Sequence, residues 1–128
     1  IYPCLGVNFD TDSYNNNATG YGLTKRTMSW LWSLYLKSDN DYANPYAVPL
    51  NATDLSGLPP TIVITAEYDV LQDDGALYAK KLSDSGVKVR YRDYPGMIHG
   101  FFNYGKFIDE GIAAQHHFAD GIKEMLSL

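Results

Sequence analysis

The clearest helical pattern in the first half of the chain lies between residues 24 and 35. Apolar residues recur there at spacings of three and four, which predicts an amphipathic helix. Its apolar face consists of Met28, Leu31, Trp32 and Tyr35. Thr24 is placed to cap the first turn, with Leu23 and Met28 as a hydrophobic staple. The flanking segments 7–22 and 37–60 are rich in turn-forming residues, and we predict loops for both.

Strand-like and helix-like patterns alternate in the second half of the chain. Residues 61–65 are a β-branched run that predicts a buried strand, and residues 87–94 alternate apolar and charged positions as a half-exposed strand does. A helical stripe capped by Gly86 lies between them and consists of Leu71, Gly75, Tyr78, Ala79 and Leu82. A last helix is marked by Phe107, Gly111, Ala114, Phe118, Ile122 and Met125. This order predicts the α/β class, with parallel strands joined by a right-handed crossover.

Composition and charge exclude several function classes. Apolar residues make up 45% of the 128 residues and charged residues 20%, as in an ordinary globular domain. The net charge of −5 and the lack of a basic stripe argue against nucleic-acid binding. No apolar run approaches the roughly 18–20 residues of a membrane-spanning helix. Cys4 is the only cysteine and no signal peptide is visible, so a cytoplasmic location is the favoured expectation.

The start of the chain suggests a longer polypeptide. The sequence begins Ile1-Tyr2-Pro3 without Met, and Ile1-Tyr2 is typical of the end of a strand that started earlier. We therefore expect this chain to be a segment of a larger protein.

Two reactive side chains follow the two predicted strands. Asp69 comes just after the first strand and His99 just after the second, and parallel strands place such residues at one edge of a sheet. A carboxylate that orients an imidazole is the supporting half of a nucleophilic triad, and acid before base is the α/β-hydrolase order. Asp69 is also a candidate N-cap of the next helix, as are Asp73 and Asp74, and the pattern alone leaves both functions open.

The other two histidines do not suggest a metal site. His116 and His117 lie in the last predicted helix, and we expect them to be surface or packing residues. They are adjacent rather than four apart, so they cannot share a helix face as metal ligands do. We expect neither a metal nor a cofactor.

Two motifs resemble those of a known family. Residues 58–73, LPPTIVITAEYDVLQD, and residues 96–102, GMIHGFF, are similar to the acid-bearing strand end and the histidine loop of the hormone-sensitive-lipase-like esterases. Further similarity at Tyr2-Pro3 and Asn44-Pro45-Tyr46 extends the resemblance over nearly the whole chain. It implies the C-terminal part of an α/β-hydrolase, with Asp69 as catalytic acid and His99 as base. The implied activity is carboxylic-ester hydrolysis through an acyl-enzyme.

The resemblance also assigns roles to whole segments. Residues 9–46 would belong to a cap over the acyl pocket, and residues 58–128 would form the βαβα unit that bears the acid and the histidine. Asp73 is similar to the family's second acid, which implies a structural role in capping the helix and holding the histidine loop.

Four aromatic side chains are candidates for the acyl pocket on the same resemblance. Trp30 and Phe102 would line or close the site. Trp32 and Tyr35 are candidates too, although a place in the core is at least as good an interpretation, since both lie on the apolar stripe.

The sequence departs from the family in one respect. Neither the Gly-x-Ser-x-Gly turn of the nucleophile nor the His-Gly-Gly-Gly oxyanion loop occurs, and none of the eight serines has that context. We expect both elements upstream or on another chain, so that the N-terminal portion of the hydrolase is a partner of this segment and a small ester is the substrate. Without them the covalent step is lost, and the segment alone should be inactive.

Two other function classes stay open. One is a ligand-binding protein on this fold, such as the hormone receptors that resemble these esterases, but those lose the catalytic histidine and His99 is present here. The other is an amidase or lyase, since a fold does not fix the reaction.

Overall fold

The computed structural model describes residues 1–126, and their elements follow one another in a mixed α/β order. The five α-helices and two strands of this part are α1 Asp12–Asn16, α2 Lys25–Tyr35, α3 Asp39–Ala43, β1 Thr61–Tyr68, α4 Gln72–Asp84, β2 Val89–Ile98 and α5 Asp109–Leu126. Two short 3-10 helices span Pro49–Asn51 and Phe101–Tyr104. None of these helices is both long and apolar enough to cross a bilayer.

Strands β1 and β2 pair in parallel, which confirms the predicted sheet type. The register runs from Thr61 opposite Val89 to Ala66 opposite Tyr94, and pairing resumes at Tyr68 opposite Ile98. β2 is therefore longer than the predicted strand, which ended at Tyr94. Pro95-Gly96 does not end it because the irregularity absorbs the extra residues, and Gly96 at φ +76° donates its N–H to Glu67 Oε2 at 2.7 Å.

The capping prediction for α2 is confirmed. The residues of its apolar stripe, however, do not all lie in the core. The Thr24 side chain accepts from Thr27 N, and the helix begins at Lys25. Met28 and Trp32 are buried in a cluster with Tyr14, whereas Leu31 and Tyr35 are 42% and 62% exposed. One side of the stripe is thus core, and the other borders open space.

The segments predicted as loops contain short helices. α1 begins where the Thr11 side chain accepts from Tyr14 N, and α3 begins with a capping box between Ser38 and Asp41. Each helix has five residues, too few for an apolar periodicity to be recognised.

Helices α4 and α5 pack closely on the sheet through small residues. A Cβ at Gly75 would overlap the Thr65 side chain, and a Cβ at Gly121 would lie 2.7 Å from Ile62 Cδ1. Gly111 and Ala114 are the other buried small residues of α5. Phe107, predicted on the apolar face of this helix, lies before its first residue and is 82% exposed.

The first residues lie beside β1 without forming a strand. Tyr2 N donates to Ile64 O at 2.6 Å, and this backbone bond places the start of the chain next to the middle of β1. The predicted strand end at Ile1-Tyr2 is thus close to the sheet but has no ladder among the described residues.

Candidate active site

Asp69 and His99 meet at the carboxyl edge of the two strands. Asp69 follows β1 and His99 follows β2, and the parallel pairing brings both to the same edge. His99 Nδ1 lies 2.7 Å from Asp69 Oδ2. The Asp69 side chain is fully buried and that of His99 is 30% exposed. The two residues that the sequence singled out are therefore hydrogen-bonded to each other.

The Asp69 carboxylate makes two separate contacts. Oδ2 faces His99, while Oδ1 accepts from Leu71 N at 3.0 Å and so organises the turn into α4. The histidine contact is therefore present, whereas the predicted N-cap function of Asp69 is not, since the N-cap residue of α4 is Leu71 and no side chain caps it. Asn17 holds the same turn, because its Nδ2 donates to the carbonyls of Glu67 and Asp69 at 3.1 and 3.3 Å. Nothing in the Asn-rich segment 15–17 distinguishes this asparagine in the sequence.

The position of His99 is set by the end of β2 and the turn that follows. Gly100 has φ +89°, which a residue with a Cβ rarely adopts, and it leads into the 3-10 helix Phe101–Tyr104. Phe101 is 1% exposed and anchors this helix in the core. Since a carboxylate only accepts, the imidazole presents Nδ1–H to Asp69 and leaves Nε2 as its proton-accepting atom.

A largely apolar cavity of 610 Å³ opens beside His99. Its walls come from the start of the chain, from α2 and from the segment before the first 3-10 helix, and include Tyr2, Leu23, Met28, Leu31, Trp32, Tyr35 and Tyr46. The exposed half of the α2 stripe is explained by this cavity, since Leu31 and Tyr35 border it. Its size and lining suit a small organic ligand.

Two of the four aromatic candidates lie away from this cavity. Trp30 is 59% exposed and borders a separate depression with Arg26 and Thr27, because a position two residues from Met28 or Trp32 faces the other side of a helix. Phe102 packs perpendicular to Phe118 of α5, with ring centroids 6.0 Å apart. The predicted acyl-site role of Trp30 and Phe102 therefore has no support in this arrangement.

Trp32 and Tyr35 do line the cavity. Trp32 is 6% exposed and belongs to the core cluster as well as bordering the cavity. Tyr2 and Tyr46, which the sequence did not indicate as lining residues, border the cavity too. Their side-chain directions depend on tertiary contacts that no local pattern encodes.

Asp73 is structural, but its partner differs from the prediction. Its Oδ2 accepts from Ser13 N at 2.8 Å and its own N donates to Ser13 Oγ at 3.2 Å, so it joins α4 to α1. The N-cap residue of α4 is Leu71, and no side chain caps this helix. The expectation that Asp73 caps the helix and holds the histidine loop was wrong, because its position in the first turn of α4 faces α1.

Asp74 lies in the protein interior behind the site. It is 2% exposed, and its Oδ2 accepts from the backbone N–H groups of Leu5 and Gly6, both at 2.9 Å. Burial raises the pKa of Asp74 to about 6, against the opposing effect of those two hydrogen bonds and with a smaller contribution from the charges of Asp73 and Asp69. Asp74 thus fixes the start of the chain beneath the cavity.

Cys4 borders the cavity but is unsuited to be a nucleophile. Cys4 is exposed at the edge of the cavity, yet partial burial by the protein around its sulfur and the negative charge of Asp74 raise the pKa of the thiol to about 12. The thiol therefore stays protonated near neutral pH, and the thiolate is the reactive form.

The histidines of α5 have packing and surface positions, as predicted. His117 Nε2 lies 3.3 Å from Arg90 Nε, and His116 is exposed. Burial and the neighbouring charges of Arg90 and Arg92 lower the pKa of His117.

The structure has a parallel sheet with an Asp–His pair at its carboxyl edge, and His99 of this pair borders an apolar cavity. This is the arrangement of an α/β-hydrolase. Residues 1–103 match a protein family whose description is 'alpha/beta hydrolase fold'. The chain belongs to this family, and within it to the hormone-sensitive-lipase-like esterases.

Named relatives and solved structures agree with this membership. The chain is 39% identical to the carboxylic ester hydrolase LipN of Mycobacterium tuberculosis, over 80% of this chain and 28% of that protein. It is 36% identical to an arylesterase of Saccharolobus solfataricus, over 79% of this chain and 33% of the relative. A thermophilic carboxylesterase cloned from a metagenomic library superposes with a TM-score of 0.87 at 35% identity, over 97% of this chain and 43% of that one.

The chain is shorter than the proteins it matches. It spans about 30% of the length of three of the curated relatives that it matches. The relatives named here are esterases, which supports a hydrolase function for the family to which the chain belongs.

Proposed function

We propose that this chain is the C-terminal part of a serine carboxylic-ester hydrolase and supplies its catalytic acid, Asp69, and base, His99. The observation that carries the proposal is the 2.7 Å contact between His99 Nδ1 and Asp69 Oδ2 at the mouth of the apolar cavity. Burial of the carboxylate on one side of the imidazole and an open cavity on the other are what a general base needs.

In the first half of the reaction, Nε2 of His99 takes the proton from a serine hydroxyl as the serine oxygen attacks the ester carbonyl. The imidazolium that forms is stabilised by the Asp69 carboxylate at Nδ1. The tetrahedral intermediate then collapses, the carbon–oxygen bond to the alcohol breaks, and His99 returns its proton to the departing alkoxide. The acyl group stays on the serine.

In the second half, water replaces the alcohol. His99 removes a proton from water as its oxygen attacks the acyl-enzyme, and the proton passes to the serine oxygen when the acid leaves. The apolar cavity would hold the hydrocarbon part of the substrate, with Leu31, Trp32 and Tyr35 as its wall.

The serine and the oxyanion donors would come from upstream of this segment or from another chain. The support is that no Gly-x-Ser-x-Gly or His-Gly-Gly-Gly sequence occurs in the 128 residues and that the chain spans about 30% of its relatives. The segment alone would then be inactive, and the N-terminal portion of the hydrolase would be its partner. Within the segment, residues 9–46 would form part of the cap and residues 58–128 the acid- and histidine-bearing unit.

The test is a labelling experiment with a fluorophosphonate probe. The 128-residue chain alone and the full-length protein that contains it are treated in parallel, and the intact mass of every polypeptide is measured. We expect the probe on a serine outside this segment, in a protein that also hydrolyses a short p-nitrophenyl ester. Labelling of a residue within the segment, or absence of label and turnover in the full-length protein, would refute the proposal.

A further inference from the structure

Tyr2 makes a contact with the imidazole that the acid–base pair does not explain. The ring centroids of Tyr2 and His99 are 4.5 Å apart with an angle of 54° between the planes, which is within the range of aromatic contacts. Tyr2 lines the cavity together with His99. The phenol ring therefore covers part of the imidazole, whereas Asp69 holds it at Nδ1.

Contacts with two different elements hold Tyr2 in this place. Its backbone N donates to Ile64 O of β1 at 2.6 Å. Its hydroxyl accepts from Asn103 Nδ2 at 3.3 Å, and Asn103 belongs to the 3-10 helix that follows His99. The ring also lies 6.2 Å from that of buried Phe101. Tyr2 thus connects β1 to the loop that carries the histidine.

The backbone of Tyr2 is strained. Its φ of +35° lies in the left-handed region, and no other non-glycine residue of the described chain has a positive φ. A residue with a Cβ adopts this region at a cost, so the surrounding contacts must hold it there. Such strain is found preferentially at functional sites. The strain here coincides with a residue that touches the proposed catalytic base.

We propose that Tyr2 is a positioning residue for His99. One hydrogen bond at Nδ1 leaves the imidazole free to turn about its terminal torsion, which has a broad energy profile. The Tyr2 ring limits that rotation and keeps Nε2 directed toward the serine hydroxyl. The inference rests on the proposed ester hydrolysis, since it concerns the base of that reaction.

The test compares Tyr2→Ala, Tyr2→Leu and Tyr2→Phe in the full-length protein with a short p-nitrophenyl ester. Loss of the ring should lower kcat about 10- to 100-fold, the effect of a misdirected catalytic group, with KM within about threefold. Tyr2→Phe keeps the ring and should retain kcat within about threefold. Tyr2→Leu fills the volume without a planar ring, and its kcat should lie between those of Tyr2→Ala and Tyr2→Phe. It takes the place of Tyr2→Ala in the test if the alanine variant does not fold.

Tyr91→Ala is the matched control, because it makes the same substitution on β2 at an exposed residue outside both the cavity lining and the proposed cap. It should leave kcat and KM unchanged. The inference is overturned if the unsubstituted protein hydrolyses the ester while Tyr2→Leu keeps its kcat, or if the substitutions raise KM alone, which would make Tyr2 only a wall of the cavity. Failure of the unsubstituted protein to hydrolyse any ester would instead refute the proposed function.

Discussion

The two oxygens of the Asp69 carboxylate have different partners, and this division constrains what a substitution can do. Oδ1 accepts from Leu71 N at the start of α4, and Oδ2 faces His99 Nδ1. An asparagine has the same shape and can keep the first contact through its carbonyl oxygen. Its amide group would then face Nδ1, where it can only donate.

Asp69→Asn is therefore expected to preserve the fold and abolish most of the activity. An amide donor at Nδ1 selects the imidazole tautomer with the proton on Nε2, which cannot accept the proton of a serine. The same substitution in a serine protease triad lowers kcat about 10⁴-fold, and we expect a loss of about that size in the full-length protein. Steady-state ester hydrolysis measures the loss, and thermal unfolding checks the fold.

Asp73→Asn is the control for this prediction. Asp73 is four positions further along, and its carboxylate contacts Ser13 rather than the histidine. It should retain kcat within about threefold even if the melting temperature falls. Equal losses of kcat in Asp69→Asn and Asp73→Asn would contradict the assignment of Asp69.

Asp74 should make stability depend on pH in the opposite sense to a salt-bridged acid. Burial raises its pKa in the folded state to about 6, above the 3.8 of an unperturbed aspartate. Between these values the folded state binds more protons than the unfolded state, so the free energy of unfolding falls as pH rises from about 4 to about 6. The shift corresponds to roughly 3 kcal/mol at most.

Urea unfolding of the full-length protein at pH 4.5 and pH 7.5 measures this effect by comparison with Asp74→Asn. The asparagine does not titrate and can still accept from Leu5 and Gly6 through its carbonyl oxygen. Relative to the wild type, the variant should gain stability at the higher pH. A stability difference that is the same at both pH values would show that Asp74 does not titrate in this range.

At the scale of elements, the end of α4 is fixed by a Schellman motif. Gly86, at φ +81°, donates its N–H to Ser83 O, and Val87 N donates to Leu82 O, each at 3.0 Å. Leu82 and Val87 pack together in one apolar cluster. This turn confirms the predicted glycine cap and directs the chain into β2.

Gly86→Ala should destabilise the full-length protein by about 1–2 kcal/mol, because a Cβ is unfavourable at this positive φ. The expected destabilisation does not come from a steric clash, since no heavy atom lies within 4 Å of a Cβ built at Gly86. Ser83→Ala, at an exposed position of the same helix, is the control and should be neutral or slightly stabilising. Chemical denaturation of the two variants measures the difference, and equal stabilities would contradict the role of the cap.

Elements with a local chemical signal could be predicted from the sequence, and those without one could not. Thr24 and Gly86 are such signals, and both helix ends lie where they predict. α1 and α3 are too short for periodicity, and the extension of β2 to Ile98 depends on pairing with Tyr68 across an irregular step. Pro95-Gly96 locally favours a turn, and pairing with the neighbouring strand overrides that preference.

At the scale of the whole molecule, the parallel sheet made the proximity of Asp69 and His99 predictable. Strand order alone brings Asp69 and His99 to one edge, so their contact follows from topology. The lining of the cavity depends instead on how α2 is rotated against the rest of the chain. The sequence therefore did not indicate that Trp30 lies outside the cavity or that Tyr2 borders it, since the direction of neither side chain is encoded near the residue itself.

The sheet of the described chain has only two strands, and this determines how the segment should behave in isolation. A two-stranded sheet is marginally stable alone, and its open edges can pair with other chains. An apolar groove lies between the start of β1 and α5, bordered by Pro60, Ile62, Phe118, Ile122 and Met125. We therefore expect the 128-residue chain to self-associate or to melt without cooperativity. A longer protein with the proposed N-terminal portion should give one sharp transition, since its further strands and helices would cover these surfaces. Light scattering and near-UV circular dichroism on both preparations test this expectation, and a monomeric segment with a cooperative melt would contradict it.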